Sequence, residues 1–390
     1  MDSEVLFTVT RECLDTGLRG YPVGYCTTSY VHPHLGLFYV GRPISELAYK
    51  EAEEVIYLLY YGKEGSKSEI EQFKNELVKR AHVDSRVLEQ IRLLPRVGQP
   101  MKLFAASLLI EGMLEGVGDY REDCLNLIAR APTLVACLIN HHAGWGEGPK
   151  SRPELGYIEN FVAQLALPGG VNKDLATAMK IFNILHYDHG GGNLSTFVGK
   201  AVASGLEDMH GSMSAAMSAL AGHRHGRANQ DCLEFVEKVL QELGENATAG
   251  QVENLLREKL AKGDLIYGFG HAVLRVEDPR AAIFYDLAVK KYEAAPIVKI
   301  ALLLRLVGPK VLAENPKIHD IHPNVDAISS VVLKAAGFDY PHYFAVLFGM
   351  ARVVGISRQI VYERLEARGG KGTPIVRPKY LYAGDETVSG

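Results

Sequence analysis

Five histidines lie in three short segments, and most of them adjoin glycine or another polar residue. His186 and His189 lie in LHYDHGGGN, His223 and His225 in GHRHGRAN, and His271 in GFGHAVLRVEDPR. Glycine has no side chain, so it lets a backbone approach a ligand closely. A single histidine is usually a hydrogen-bonded core or surface residue. Three glycine-flanked cases together favour a site that uses neutral or charged imidazoles in its chemistry.

The same histidines match a metal site only in part. The H-x-x-H and H-x-H spacings place imidazoles near one another, and Asp188 lies between His186 and His189. The chain has neither an H-E-x-x-H motif nor paired cysteines, so zinc and iron are disfavoured and no metal is expected. A phosphate-binding loop is weaker still, because GFGHAV lacks a third glycine and GGGN precedes no P-loop lysine.

A carboxylate and several arginines follow these histidines. Asp326 lies in IHPNVDAISS, at a turn where capping a helix is the most common role of aspartate. Four arginines lie near the same motifs: Arg275, Arg280, Arg352 and Arg377. Arg352 interrupts the apolar pattern LFGMARVVGI, and a charge in such a stretch is expected to have a partner or a ligand. A salt bridge and an anion site both satisfy that expectation.

Composition bounds the class of protein. The chain has 390 residues, of which 47% are hydrophobic and 23% charged, so we expect a soluble globular protein with one large and one smaller domain. A net charge of -4 gives no basic surface for nucleic acid. Five cysteines without C-x-x-C spacing and an N-terminus without a signal-peptide pattern predict a cytoplasmic location and no membrane association.

Helix signals position these residues along most of the chain. A capping box formed by Thr248 and Gln251 predicts a helix over 248–262. Apolar periodicity predicts further helices over 45–61 and 67–81. Two prolines mark the starts of others: Pro100 and Pro279. Strand signals are confined to 25–39, so the expected fold is mainly α with a minor N-terminal β hairpin.

The ordered motifs resemble the signature blocks of the citrate synthase family. The resemblance rests on LHYDHGGGN, GHRHGRAN, GFGHAVLRVEDPR, HPNVDA, FGMAR and RPK, with GLFYVGRPISELA near the N-terminus. It covers most of the chain and implies a citrate synthase-like fold. Residues 1–226 and 337–390 would form a large helical domain with the dimer interface. Residues 227–336 would form a small mobile domain that closes over the active site.

The resemblance also implies an acyltransferase of the tricarboxylic acid cycle. In that family His225 would polarise the thioester carbonyl of acetyl-CoA, Asp326 would remove a methyl proton, and His271 would polarise the ketone of oxaloacetate. The oxaloacetate carboxylates would be bound by Arg280, Arg352 and Arg377, with help from His189. Coenzyme A would lie near Arg275, Leu265, Ile266, Gly268 and Gly270. Arg377 would reach the neighbouring subunit's site, which implies a homodimer, and the acyl-CoA is a substrate rather than a bound cofactor.

The chemistry explains why such a set is needed. A thioester α-proton is too weakly acidic for a carboxylate unless the developing enolate oxygen is stabilised as the proton leaves. A neutral imidazole at a helix N-terminus is suited to that, because the helix dipole disfavours the imidazolium. We expect the segment after His225 to form such a helix.

Three departures from the family pattern leave the acyl-CoA preference open. Gly190 stands where glutamate is usual, and His223 and Arg224 replace the usual Pro-Leu. A 2-methylcitrate synthase that uses propionyl-CoA is the nearest alternative, since one methylene changes discrimination by only ~1–3 kcal/mol. A non-catalytic, histidine-rich metal-binding or structural helical protein is the second alternative.

Overall fold

The computed structural model describes residues 5–382, and 59% of the chain is helical. The α-helices are α1 (Ile44–Leu47), α2 (Ala52–Tyr61), α3 (Lys67–Arg80), α4 (Ser85–Leu93), α5 (Pro100–Glu115), α6 (Tyr120–Ala143), α7 (Tyr157–Gln164), α8 (Lys173–His186), α9 (Leu194–Ala203), α10 (Met209–Leu220), α11 (Ala228–Leu243), α12 (Ala249–Ala261), α13 (Pro279–Tyr292), α14 (Pro296–Ala313), α15 (Ser329–Ala335) and α16 (Phe344–Val361). The strands are β1 (Ser29–His32), β2 (Gly36–Tyr39) and β3 (Arg42–Pro43). The predicted mainly α fold is confirmed.

Local signals explain where several helices begin. Thr248 and Gln251 form the predicted capping box at the start of α12. Ser66 and Glu69 form a second one at α3, which satisfies backbone N–H groups that the helix itself cannot bond. The two prolines occupy the first turns of α5 and α13, where a missing N–H costs nothing.

The prediction of one continuous helix over 45–61 is wrong. Helix α1 ends at Leu47 and α2 begins at Ala52, with Glu51 in an extended conformation between them. The apolar periodicity continues through the break, so no local signal marks it. The reason is tertiary: α1 packs against α13, whereas α2 packs against α16 and α3.

The N-terminal hairpin is present, and it has a third strand that the sequence did not predict. Strands β1 and β2 pair antiparallel, with Ser29 opposite Tyr39, and β3 pairs with β2. The Tyr39 hydroxyl donates a hydrogen bond to the Ile184 carbonyl at 2.9 Å, near the end of α8. The hairpin therefore rests on the segment that leads to the first histidine motif.

The large helical core centres on α16 and α10. Helix α16 packs against α6, α8, α9 and α10, and most of its residues are buried. Small residues let α10 approach its neighbours closely. A Cβ added at Gly199 of α9 would lie 3.1 Å from the Ala216 Cβ of α10, and one at Gly112 of α5 would lie 2.6 Å from the His210 Cβ. Both partner helices belong to the same chain.

Helices α11 to α15 form a second packed group. Helix α11 contacts α14 and α15, α12 contacts α14, and α13 contacts α15. This group falls within the predicted small domain at 227–336 and touches the first group through α11 with α16 and α15 with α8. Movement of the group as a domain stays a prediction.

Two helical segments are long and apolar enough to cross a membrane, α6 and Pro341–Glu366. Their most apolar windows are 78% and 89% buried inside the protein. Burial of that extent is typical of core helices.

Candidate active site

Two backbone segments, 265–271 and 320–327, are held together and bring two predicted catalytic side chains to one place. The Gly270 N–H donates to the His322 carbonyl at 2.9 Å, and the Asn324 N–H donates to the Gly268 carbonyl at 2.9 Å. The Asn324 side-chain amide adds a third bond, to the Gly270 carbonyl at 2.9 Å.

Gly268 shows why this pairing needs glycine. Its φ is +85°, which L-residues with a Cβ disfavour, and an added Cβ would lie 2.9 Å from both the Ala327 Cα and the Cys232 Sγ. A side chain at this position would therefore push the two segments apart.

His271 is held as a neutral imidazole. The backbone N–H groups of Val273 and Leu274 both donate to its Nδ1 at 3.0 Å. Because Nδ1 accepts, the proton of the neutral ring lies on Nε2. Burial, with the charge of Arg280 next in size, lowers the pKa of His271 to about 4. The ring is therefore a hydrogen-bond donor without a charge at neutral pH.

His225 is neutral as well, with the opposite tautomer. The Ser195 N–H donates to His225 Nε2 at 3.3 Å, and the Ser195 hydroxyl lies 2.9 Å from the same nitrogen. Nε2 therefore accepts and Nδ1 carries the proton. Burial, followed by the charge of Arg352, lowers the pKa of His225 to about 4. The expected helix α11 begins only at Ala228, so His225 lies in the preceding turn and burial rather than the helix start is the main cause.

Asp326 is not the helix cap that its position suggested. It lies inside a short 3₁₀ helix, Val325–Ala327, whose cap is Asn324. The half-buried Asp326 carboxylate accepts a hydrogen bond from Asn229 Nδ2 at 2.9 Å. Burial raises the pKa of Asp326, and the Asn229 amide and the Arg280 charge oppose that rise.

Arg352 is a buried cation without a paired anion. Its side chain is 1% exposed, its Nε donates to the His186 carbonyl at 2.9 Å, and its guanidinium carbon lies 4.6 Å from the centre of the Phe348 ring. No carboxylate of the described residues forms a salt bridge with it. Burial lowers the pKa of Arg352 to about 10, so it stays charged at neutral pH. A buried charge in this state is suited to binding an anion.

Arg280 differs, since it already has a partner. Its guanidinium forms a two-pronged pair with buried Asp278, at 3.1 Å from Nε to Oδ1 and 2.7 Å from Nη2 to Oδ2. His189 lies nearby, and its buried Nε2 has no hydrogen-bond partner among the described residues. Burial, then Arg280 and Arg352, lowers the pKa of His189 well below its ordinary value.

These side chains lie close together where the two helix groups meet, a place called the cleft below. The His189 and His271 rings lie 5.2 Å apart, centre to centre. The Phe348 ring contacts both the Arg352 guanidinium and, at 6.1 Å, the His225 ring. The structure thus brings together His189, His225, His271, Arg280, Asp326 and Arg352.

Comparison with known proteins decides the family. The family description "Citrate synthase, C-terminal domain" matches residues 17–379. The chain belongs to the citrate synthase family. It is 32% identical to citrate synthase 4, mitochondrial, of Arabidopsis thaliana, over 96% of this chain and 82% of that protein. It is 33% identical to the mitochondrial citrate synthase of Citrus maxima, over 96% and 83% respectively.

Solved structures of citrate synthases have the same fold. The enzyme from Thermotoga maritima MSB8 is 28% identical, with a TM-score of 0.81 over 96% of this chain and 97% of that one. A ternary complex of the Thermoplasma acidophilum enzyme with carboxymethyl coenzyme A and oxaloacetate has a TM-score of 0.82 over 96% and 97%, at 24% identity. The latter likeness concerns the fold alone.

Of the residues predicted to contact coenzyme A or a neighbouring subunit, three lie at the surface: Leu265, Arg275 and Arg377. Ile266 and Gly270 are partly buried, and Gly268 is buried. Arg275 is exposed, and its Nη1 donates to the carbonyl of the preceding residue, Leu274, at 2.7 Å. Leu265 is 72% exposed, on the segment that leads to His271. Arg377 is exposed on an extended segment that is bound through Val376 N–H to Ser204 Oγ at 2.9 Å.

The three departures from the citrate synthase pattern have structural contexts. Gly190 has a φ of +74°, in the left-handed region that glycine adopts more readily than glutamate. His223 is exposed, with Nδ1 3.2 Å from Asp231 Oδ2. Arg224 is exposed beside the His225 turn. Nothing in the structure explains the change to arginine.

Sequence reasoning missed the residues that hold the predicted ones in place. They are Ser195, Asn229, Asp278, Asp188 and Phe348. Asp188 is fully buried and accepts hydrogen bonds from Ser29, from Gln359 and from the His189 N–H. A spacing signal existed for two of the five, since Asn229 follows His225 and Phe348 precedes Arg352 by one helical turn.

A metal site and a separate cavity were also considered as functional features. Among residues 5–382, no three His, Cys, Asp or Glu side chains are grouped to hold a metal ion. A cavity of about 870 Å³ lies between α3, α4, α6 and the loop after α6, and none of the residues of the cleft lines it.

Proposed function

We propose that this protein condenses acetyl-CoA with oxaloacetate and hydrolyses the resulting citryl thioester to citrate and CoA. One observation supports this above all others: two neutral imidazoles and a carboxylate share a cleft with the buried, unpaired cation Arg352. Oxaloacetate is a dianion with a ketone, and it complements a cation beside a neutral hydrogen-bond donor.

Proton abstraction needs Asp326 and His225 together. Asp326 takes a methyl proton of acetyl-CoA, and the electron pair of the C–H bond moves toward the thioester oxygen. The Nδ1–H of His225 donates a hydrogen bond to that oxygen, which stabilises the developing enolate. His225 donates from Nδ1 because its Nε2 already accepts a hydrogen bond from the Ser195 N–H.

Carbon–carbon bond formation depends on the oxaloacetate side of the cleft. The enolate carbon attacks the oxaloacetate ketone, and the Nε2–H of His271 donates to the ketone oxygen as it becomes an alkoxide. Arg352 and Arg280 bind the carboxylates, and His189 donates from the same side. The alkoxide takes the Nε2 proton of His271, and the methyl proton held by Asp326 is released and restores the neutral imidazole. Water then adds to the thioester carbonyl and the carbon–sulfur bond breaks. One proton of the water leaves with the CoA thiol, and the other is released as citrate forms its carboxylate.

The proposed reaction needs no tightly bound cofactor, because the CoA thioester is itself a substrate. We place its nucleotide end along the segment that contains Leu265, Ile266, Gly268 and Gly270, with Arg275 beside the phosphates. Closure of helices α11 to α15 over the cleft would exclude water and strengthen the charged contacts around the thioester.

A homodimer completes the proposal, with Arg377 entering the partner subunit's cleft. Its exposure on an extended C-terminal segment supports this assignment. If each cleft uses one Arg377 from the other subunit, Arg377→Ala and Asp326→Ala are both inactive alone. Refolding them together should restore about a quarter of wild-type activity, because half of the dimers then contain one intact site. No recovery would contradict a shared site.

The proposed location is the cytoplasm. All five cysteines are free, which suits a reducing compartment. The two relatives named above are mitochondrial proteins. Cell fractionation with an antibody against this chain tests the location, and recovery with organelles would overturn it.

The deciding assay is thiol release from acetyl-CoA with and without oxaloacetate, with propionyl-CoA as the competing substrate. We expect oxaloacetate-dependent release, a higher kcat/KM for acetyl-CoA, and no loss of activity after treatment with a chelator. A clear preference for propionyl-CoA would reassign the protein as a 2-methylcitrate synthase. No release with either thioester would refute the proposal.

A further inference from the structure

Asn229 donates a hydrogen bond to the carboxylate of Asp326, the proposed base. Its side chain is 2% exposed at the start of α11, and its Nδ2 donates to Asp326 Oδ1 at 2.9 Å and to Ser329 Oγ at 2.7 Å. An amide nitrogen has two hydrogens, so both are used. The reversed amide would place an oxygen against a carboxylate oxygen, and the contact therefore defines the amide's orientation.

This contact makes the two carboxylate oxygens of Asp326 unequal. Oδ1 accepts from Asn229, whereas Oδ2 has no hydrogen-bond donor among the described residues. A carboxylate rotates about the bond between Cβ and Cγ, and a hydrogen bond to one oxygen fixes that rotation. Oδ2 is then the oxygen that stays free to accept a substrate proton in a defined direction.

Asn229 also joins the two segments that act in proton abstraction. It follows His225 by four residues in one continuous segment, and Asp326 precedes Ser329 in another. One amide therefore fixes the distance between the segment with the hydrogen-bond donor and the segment with the base.

We propose that Asn229 is a positioning residue, which aims Asp326 Oδ2 at the acyl-CoA methyl group relative to His225. The inference rests on the proposed condensation activity and adds a residue to its machinery. Misplacement of a reacting group by about 1 Å costs on the order of 100-fold in rate. Loss of the amide should therefore lower kcat strongly and leave the KM for oxaloacetate unchanged.

The pKa of Asp326 should depend on Asn229, which would not be expected of an asparagine with a purely structural role. The Asn229 amide opposes the effect of burial on the pKa of Asp326. Without this donor the pKa of Asp326 rises, and with a second carboxylate in its place the pKa rises further. The acid limb of the pH–rate profile reports this pKa, because Asp326 must be ionised to act as a base.

The experiment measures kcat/KM for acetyl-CoA against pH, at saturating oxaloacetate, in wild type, Asn229→Ala, Asn229→Asp and Ser329→Ala. We expect the acid limb to move to higher pH in Asn229→Ala and further in Asn229→Asp. Ser329→Ala is the matched control, since it removes the other partner of the same amide and leaves the bond to Asp326. Its acid limb should not move.

A second readout separates misdirected chemistry from loss of folded protein. With trideuterated acetyl-CoA, the isotope effect on kcat should be larger in Asn229→Ala than in wild type, because proton abstraction becomes more rate-limiting. A smaller folded fraction would lower kcat and leave the isotope effect unchanged. If Asn229→Ala fails to fold, the isosteric Asn229→Asp supplies the same test.

The outcomes distinguish this inference from the proposed function. A wild-type protein that releases no thiol refutes the condensation itself. An active wild type with unmoved acid limbs and unchanged isotope effects in both Asn229 variants refutes the positioning role and leaves the condensation standing.

Discussion

Two clusters of buried charge in this protein use the same residue types for different ends. The first, here called the cleft cluster, contains His189, His225, His271, Arg280 and Arg352. The second, here called the helix cluster, lies where α5, α6 and α10 meet and contains Glu111, Glu115, Arg130 and His210.

In the helix cluster each cation has an anion. Arg130 lies 3.2 Å from Glu111 and 3.4 Å from Glu115, and His210 lies 3.6 Å from Glu111. Burial alone would lower the pKa of His210, but the contact with Glu111 outweighs it and the pKa is raised. The cations of this cluster therefore contact carboxylates of the protein itself.

In the cleft cluster the balance is reversed. Arg352 has no anionic partner among the described residues, and the pKa values of His225 and His271 are lowered to about 4. Arg280 of this cluster is paired with Asp278, but Arg352 has no salt-bridge partner, and an anionic substrate could supply one. The comparison indicates that the absence of a paired carboxylate distinguishes Arg352 from the cations of the helix cluster.

The largest effect is expected from Asp326→Ala, which removes the proposed base and leaves the cations of the cleft cluster in place. Turnover should fall by ~10²- to 10⁴-fold, the usual contribution of a general base. Oxaloacetate binding, measured by calorimetry, should remain detectable. Full activity in this variant would show that the cleft uses another base.

A paired substitution tests the comparison directly. Arg130→Met removes the arginine partner of buried Glu111, which then keeps only the 3.6 Å contact with His210, and should lower the free energy of unfolding by ~3–5 kcal/mol. Arg352→Met removes an unpaired buried charge, so the free energy of unfolding should stay the same or rise, while oxaloacetate affinity falls ~10- to 100-fold. Urea unfolding and calorimetry measure the two quantities. Equal destabilisation by both substitutions would remove the distinction between the clusters.

The clusters should also respond oppositely to pH. The lowered pKa values of His225 and His271 give a contribution to stability that is present above pH 6.5 and lost as the pH falls toward about 4. The raised pKa of His210 gives one that is present below pH 6.5 and lost as the pH rises through its folded value.

Urea unfolding across this pH range checks the signs. His210→Gln should flatten the loss on the alkaline side, and His225→Gln should flatten the loss on the acid side. A His210→Gln protein with an unaltered alkaline slope would assign that slope to other groups.

The smallest effect is expected at the turn beside His189. Gly190→Ala places a Cβ at a φ of +74° without a steric clash and should cost ~1–2 kcal/mol of stability. Gly192→Ala is the matched control, because an added Cβ there also meets nothing within 4 Å and its φ is not in the left-handed region. It should change stability by less than ~0.5 kcal/mol. Similar losses in both would rule out backbone strain as the reason for glycine at this turn.

The sequence by itself determined the features whose causes lie within a few residues. The capping box at Thr248, the prolines that open α5 and α13, and the hairpin near Tyr39 were all predictable, because caps, turns and alternation are local interactions. The ordered motifs also identified the family and named the histidines, the carboxylate and the arginines of the cleft.

Only the tertiary structure decided what depends on distant segments. Periodicity runs through the break between α1 and α2, which arises because the two helices pack against different partners. The tautomer of His225 depends on Ser195, thirty residues away, and the aim of Asp326 depends on Asn229. Whether an arginine is paired, as Arg280 is, or free for a ligand, as Arg352 is, depends on which carboxylates the fold brings near. Burial and neighbouring charge set the chemistry of these groups, and both are properties of the packed molecule.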